Sequence, residues 1–489
     1  MSNVTTDAEI YFMNMPTGSG KTLASMQFAL ARANRGGKKR IIYIIPFTSI
    51  IEQNAKVFKD IFGETSVLEH HCNFDYDSLE CPTTAEKLKR SAENWDASII
   101  VTTNVQFFES IYSNKSSHLR KLHNIADSIL IFDEAHMFPS KFYKPCLDAI
   151  NIFVKQYNCE AIFLSATMPD FYTWLSEFGC VGAKCLDLIQ DKSNFNAFSR
   201  CKIENLNSIS LEKLLVLAQE GSSSLIVVNS KKNARRVYER LQGLKYHLST
   251  YMTHEDRSKT ISNIKQSLLN GEKFCVVSTS LIEAGVDLDF QLVFREMAGL
   301  DNLLQTAGRC NREGIRQNAV AYAFTFEECE MQPKKDKFAI KQYLCNQIFE
   351  NYKDVQSYSA VVTYFDKLYS YSKAEMESMD FADKKWSKNS GYNFCSYAEE
   401  FKLIDDDRIT VVVACLPKAQ EILHRAEQGD KASKRALQQY SVSLYQNEFK
   451  QLFDIGVINN INGINILTSN NYYKSDTGIQ FEDDTVLQY

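Results

Sequence analysis

Ile10-Tyr11-Phe12-Met13-Asn14-Met15-Pro16-Thr17-Gly18-Ser19-Gly20-Lys21-Thr22-Leu23-Ala24-Ser25-Met26 is the stretch that decides the fold of this chain. A short apolar run leads into a loop of small residues, and a helical pattern follows. A loop so placed between strand and helix aims backbone N–H groups and the positive end of the helix dipole at a polyphosphate. Thr17, Gly18, Ser19 and Gly20 form the cradle, Lys21 would meet the β- and γ-phosphates of a nucleotide, and the Thr22 hydroxyl would hold Mg²⁺. The strict G-x-x-x-x-G-K-T pattern fails at its first position, which is Met15.

A glycine turn before a helix would be an unremarked feature on its own. Further along, Ile129-Leu130-Ile131-Phe132 is an apolar strand pattern ending in Asp133-Glu134-Ala135-His136. Two carboxylates thus emerge at the C-terminal end of a strand, where the phosphate loop also lies. Asp133 would bind Mg²⁺ through water, and Glu134 would orient and deprotonate the attacking water.

Around these motifs, short β-branched runs alternate with stretches of helical periodicity, the sequence form of parallel β-α units. One series contains Ile10 to Met15, Ile41 to Ile45, Ser98 to Val101, Ile129 to Phe132 and Ala161 to Leu164. A second contains Leu225 to Val228, His247 to Tyr251, Phe274 to Val277, Gln291 to Phe294 and Ala319 to Phe326. The expected fold is α/β, with two tandem RecA-like P-loop lobes of parallel sheet at 1–205 and 206–330. A helical linker at 331–393 and a small C-terminal α+β domain at 394–489 complete it. The 489 residues exceed what one hydrophobic core supports. A net charge of -5 rules out a uniformly basic surface, so any nucleic-acid track must be a local groove. Thirteen cysteines without a C-x-x-C pair read as reduced thiols, and with no apolar span or leader pattern the expected location is the cytoplasm.

Three more motifs follow in order: Ser165-Ala166-Thr167, then Ser278-Thr279-Ser280-Leu281-Ile282-Glu283-Ala284-Gly285-Val286-Asp287, then Gln305-Thr306-Ala307-Gly308-Arg309-Cys310-Asn311-Arg312. The series from Met15 to Arg312 resembles the motifs of superfamily 2 helicases. That resemblance implies that Gly285 and Asp287 join the nucleotide site and that His136, Ser165 and Thr167 couple hydrolysis to movement. Gln305, Arg309 and Arg312 would act in catalysis. The two arginines lie about one helical turn apart and are expected to share a face, from which they would reach the γ-phosphate as the lobes close. The same resemblance assigns the nucleic-acid track to Pro46, Thr48, Thr102, Thr103 and Asn104 in the first lobe, and to Asn229, Ser230, Ser278 and Thr279 in the second. Hydroxyls, amides and backbone N–H groups after strands suit phosphate contacts that position a strand without reading it. For any one of these loops, ordinary turn chemistry is an equal alternative.

Pro46-Phe47-Thr48-Ser49-Ile50-Ile51-Glu52-Gln53-Asn54, Glu69-His70-His71-Cys72-Asn73-Phe74-Asp75, Val101-Thr102-Thr103-Asn104 through Ser110, Ala298-Gly299-Leu300-Asp301-Asn302 and Arg309 through Gly314 are more particular. They resemble the CRISPR-associated helicase/nuclease family of type I interference systems. The resemblance implies an ATP- and Mg²⁺-dependent motor moving 3′ to 5′ along single-stranded DNA, recruited to an R-loop by an RNA-guided surveillance complex. It also implies an HD-type nuclease before the helicase. Here no His is followed by Asp, so that nuclease is expected from a separate protein. His70-His71-Cys72 is read as a surface element rather than a zinc site, because adjacent side chains on an extended segment point apart. The tail is expected to be an accessory whose removal spares basal hydrolysis. A non-catalytic binding module and an RNA helicase remain alternatives, since phosphate contacts ignore the 2′-hydroxyl.

Overall fold

The computed structural model describes residues 6–15, 19–46, 48–71, 82–165, 175, 182–190, 199–283, 285–317, 319–327, 337–376, 378–379, 394–403, 408–427, 430, 433 and 436–481. Thr17, Gly18 and Thr167 lie outside them. The chain forms two compact units, residues 1–199 with 346–405, and residues 200–345 with 406–489. The division falls a few residues before the expected 205/206 boundary. Each unit takes a share of both the expected linker and the expected C-terminal domain.

In the first unit the strands are β1 (Ile10–Asn14), β2 (Arg40–Ile45), β3 (Val67–His70), β4 (Ile99–Thr103), β5 (Ser128–Phe132), β6 (Glu160–Ser165) and β7 (Cys185–Asp187). They pair in parallel in the order β3-β4-β2-β5-β6-β1-β7. One face carries Tyr11, Met13, Ile41, Tyr43, Ile45, Val101, Ile129 and Ile131, covered by Met26, Ala29, Ile51, Ala55 and Phe58 from helices. The other carries an aromatic cluster in which Phe132 meets Phe163 at 5.4 Å, Phe107 at 5.6 Å and Phe138 at 5.8 Å. Burial on both faces is why these strands read as unbroken apolar runs.

The second unit holds β8 (Lys202–Ile209), β9 (Ser223–Val227), β10 (Leu244–Leu248), β11 (Phe274–Ser278), β12 (Leu292–Glu296) and β13 (Val320–Phe326), again parallel, in the order β10-β11-β9-β12-β13-β8. The strands absent from the sequence expectation are β3, β7 and β8, and β10 is displaced from the expected 247–251. All four are edge strands. An edge strand has one ladder partner and tolerates polar residues, so β8, written Lys-Ile-Glu-Asn-Leu-Asn-Ser-Ile, carries no apolar run to find.

The tail is not an appendage. Helix Phe394–Glu400 precedes Phe401, which packs on Tyr112 at 4.2 Å and Phe142 at 5.0 Å within the first unit. In the second unit β14 (Arg408–Val413), β15 (Ser441–Tyr445), β16 (Ile458–Ile461) and β17 (Ile464–Leu467) form a mixed sheet ordered β15-β14-β17-β16, and β18 (Tyr473–Lys474) pairs with β19 (Gly478–Ile479). Tyr251 packs against the core of that mixed sheet. Gly478 has φ +78°, and a Cβ there would collide with the Tyr251 carbonyl. The buried Tyr473 hydroxyl donates to Asp256 Oδ2 at 2.6 Å and accepts from the Thr253 N–H at 3.0 Å. Removing the tail would therefore open the core of the unit that carries the arginines, contrary to the expectation of a dispensable accessory.

Tyr473→Phe deletes one oxygen and leaves a buried carboxylate and N–H short of a partner. We expect it to lower the unfolding free energy by about 1–3 kcal/mol, read by chemical denaturation.

Candidate active site

β1 ends at Asn14, and the ladder continues for one bond beyond it, from the Met15 N–H to the Ser165 carbonyl at 3.2 Å. Gly20 stands at φ +80°, a conformation that glycine adopts without strain, and helix Lys21–Gly36 starts at the next residue. Strand, loop and helix thus follow one another as the sequence requires. On the neighbouring strands, the Asp133 N–H donates to the Ile44 carbonyl at 2.8 Å, so the acidic pair leaves β5 at the same C-terminal edge of the sheet. Glu134 has φ +48° and ψ +49°, a left-handed conformation that costs a side-chain-bearing residue about 1–2 kcal/mol. Such strain is retained where the chain must turn a functional group.

These elements bring Lys21 onto both carboxylates. Its Nζ lies 2.6 Å from Glu134 Oε1 and 3.2 Å from Asp133 Oδ1. Burial works against the Lys21 charge, but the two carboxylates outweigh it and hold the ammonium above its ordinary range. Burial lifts the Asp133 carboxyl above its ordinary range, with Lys21 opposing that rise. Asp133 Oδ1 also accepts from the Glu134 N–H at 3.0 Å, while Oδ2 accepts from the Tyr43 hydroxyl at 3.2 Å. A hydroxyl at Thr22 and a carboxylate at Asp133 are hard oxygen donors of the kind Mg²⁺ takes, and a cation already sits on the acidic pair. His136 Nδ1 and Ser165 Oγ lie 2.8 Å apart, which links the acidic loop to the end of β6. The His136 ring also meets Phe365 of helix Tyr358–Met376 at 5.7 Å, a neighbour that no motif announced.

In the second unit the arginines differ from expectation. Helix Leu300–Ala307, carrying the half-buried Gln305, ends before them, so Arg309 and Arg312 share no helical face. Beyond the helix, Asn311 between the two arginines takes φ +51° and turns the chain. Its side chain donates to the carbonyls of Arg200 and Arg316 and accepts from the Arg316 N–H, each at 2.8 Å. Asp289 fixes the next residue by accepting from the Arg312 N–H at 2.8 Å and from Arg316 at 2.7 Å. Arg309 turns inward and donates to the carbonyls of Ile282 at 3.3 Å and Glu283 at 2.8 Å, bracing the loop that holds Gly285 at φ +80°. Burial, aided by the Arg312 charge, pushes its guanidinium down to about 10, still cationic at neutral pH. Arg312 is partly exposed and pairs with Asp287 at 2.7 Å.

Most expected nucleic-acid side chains hold their own loops. Thr102 is fully buried and donates to the His70 carbonyl at 2.8 Å. The Thr103 hydroxyl caps helix Asn104–Ile111 by accepting from Gln106 N–H at 2.9 Å, and Ser230 caps helix Lys231–Arg240. Asn229 donates to the Met297 carbonyl and accepts from Arg295, and the buried Ser278 donates to the Leu248 carbonyl. Thr279 is buried too, with its N–H on the same Leu248 carbonyl. Pro46 is half-buried after β2, and Thr48 begins helix Thr48–Phe62. Asn104 is buried with its side-chain oxygen unpaired among the described residues. Nor do His70 and His71 form the expected surface element, of which Cys72 lies outside the described residues. Glu69 and His71 are buried, with Lys59 2.6 Å from Glu69, and His70 accepts from Trp95 Nε1 at 3.0 Å. Burial, then neighbouring Lys121, pushes His70 down to about 3, so it stays neutral.

The Asn311 turn yields a stability test. Asn311→Gly keeps the left-handed backbone and loses the side-chain bonds, whereas Asn311→Ala loses both. Chemical denaturation is expected to find both variants weaker than the parent, with the alanine variant lower than the glycine one by about 1 kcal/mol.

Residues 2–173 match the DEAD/DEAH box helicase family, and residues 220–315 match the C-terminal part of the CRISPR-associated nuclease/helicase Cas3 family. The CRISPR-associated nuclease/helicase Cas3 of Haloferax volcanii is 23% identical over 414 residues, covering 61% of this chain and 44% of that protein. The crystal structure of T. fusca Cas3-AMPPNP superposes with a TM-score of 0.65 at 16% identity, over 90% of this chain and 62% of that one. A chain in the structure described as a CRISPR RNA-guided surveillance complex, pre-nicking, superposes with a TM-score of 0.55 at 16% identity, over 75% of this chain and 51% of that one. At such identities the superpositions show a shared fold, and this chain spans less than two thirds of each of these proteins. Two parallel sheets and the acidic pair thus stand in a chain whose residues 2–173 are similar to the DEAD/DEAH box helicases and whose residues 220–315 are similar to the C-terminal part of Cas3.

Proposed function

We propose that this chain hydrolyses ATP with Mg²⁺ to move 3′ to 5′ along single-stranded DNA, unwinding target DNA at an R-loop of a type I CRISPR system. Its partners on this reading are the RNA-guided surveillance complex that opens the loop and a separate HD nuclease, and its place is the cytoplasm. Among the described residues no helix is long and apolar enough to cross a membrane. The observation that carries the reading is Lys21 lying on both Asp133 and Glu134 at the C-terminal edge of a parallel sheet. The fold shared with Cas3 structures, one of them named for AMPPNP, supports the nucleotide, and the CRISPR-associated relatives support the setting.

On this reading Lys21 leaves Glu134 for the β- and γ-phosphates as the nucleotide enters. Glu134 is then free to orient the attacking water and take its proton. Thr22 and Asp133 hold the Mg²⁺, whose charge offsets that of the phosphates. Of the two arginines, Arg312 is the one assigned to catalysis on this reading, since Arg309 is committed to the carbonyls of Ile282 and Glu283. The nucleic-acid track runs along the strand-end loops, through backbone N–H groups rather than the occupied hydroxyls of Thr102 and Ser278.

ATP hydrolysis by the purified chain tests the reading, with and without single-stranded DNA. Turnover stimulated by DNA is expected to vanish in Lys21→Ala. In Glu134→Gln it is expected to fall by about 10² to 10⁴ while nucleotide binding persists. Stronger stimulation by single-stranded RNA would sink the DNA assignment. Folded protein without turnover would leave the non-catalytic binding module in its place.

A further inference from the structure

Tyr43 lies in the middle of β2, fully buried between Val101 of β4 and Ile131 of β5. Its ring packs against Phe58 at 5.3 Å in the core beneath helix Lys21–Gly36. A phenylalanine would satisfy that core, yet the hydroxyl points along the strand to the site and donates to Asp133 Oδ2 at 3.2 Å. Above that core, in the first turn of the same helix, Ser25 Oγ donates to the Thr22 carbonyl at 3.0 Å. One buried phenol therefore stands between the first turn of the phosphate-loop helix and the acidic pair.

We infer that Tyr43 is a positioning residue for the metal-binding carboxylate, holding Asp133 through Oδ2 so that Oδ1 faces Lys21 and the cation carried with the nucleotide. The inference rests on the nucleotide-site reading given above. Without the phenol, Oδ2 loses its neutral donor, and Asp133 can rotate about its terminal torsion, which is broad for a carboxylate. Partners that orient a metal-binding carboxylate in this way typically govern metal affinity by about 10–100-fold.

The test is Tyr43→Phe, which removes one oxygen and keeps the ring. Binding of a fluorescent ADP analogue is titrated with Mg²⁺, and ATP hydrolysis is titrated alongside. Tyr43→Phe is expected to need about 10-fold more Mg²⁺ for half-saturation in both, with magnesium-free nucleotide affinity kept and turnover recovered at high Mg²⁺. Phe58→Leu, which loosens the same core without touching Asp133, is expected to lower the melting temperature and leave the Mg²⁺ requirement in place. An unchanged requirement in Tyr43→Phe, or an equal shift in Phe58→Leu, overturns the role of Tyr43. Lys21→Ala with undiminished nucleotide affinity would instead fault the site assignment on which the inference stands.

Discussion

Lys21, Asp133 and Glu134 belong to segments more than a hundred residues apart, yet their charged atoms lie at 2.6 and 3.2 Å in a largely buried place. An ammonium or carboxylate buried alone is destabilising by several kcal/mol, so none of the three can be desolvated without the others. That constraint requires β1 and β5, which flank β6, to end at the same sheet edge, and it requires helix Lys21–Gly36 to start there, after Gly20 at φ +80°. The strained backbone of Glu134 and the ladder bonds of Met15 and Asp133 follow from it. The same arrangement leaves each of the three charges with an opposite partner.

The second unit solves a different problem. Two cationic side chains three residues apart repel each other, and a continuing helix would set them on one face. The helix instead ends at Ala307, Arg309 turns inward to backbone carbonyls, and after the left-handed Asn311 the side chain of Arg312 turns out to Asp287. One arginine thereby fixes the loop containing Gly285, and the other stays partly exposed in an ion pair with Asp287. The tail contributes to the same unit through Tyr473, Gly478 and the Tyr251 contact, so stability and site geometry share a core there.

Much of this was legible in the sequence because buried strands and phosphate loops leave strong local marks. The central strands β1, β2, β5, β6, β9 and β11 each read as apolar runs, since both faces of their sheets are covered. Edge strands left no such mark, and β3, β7 and β8 were invisible for that reason. Thr102, Thr103, Asn229 and Ser278 show the limit of reading polar residues after strands. Hydroxyls and amides serve the chain's own backbone as readily as a ligand's phosphate, and sequence spacing is the same in both cases.

The parallel α/β architecture and the strand-to-helix setting of Lys21 could be read from the sequence, because strand periodicity and a helix start act over a few residues. Only the tertiary structure decided which side chains face one another across that distance. It put Tyr43 behind Asp133, Phe365 against His136 and Asp289 beneath Arg312, and it made the tail part of a core. These are contacts between segments distant along the chain, set by sheet order and packing rather than by any local pattern.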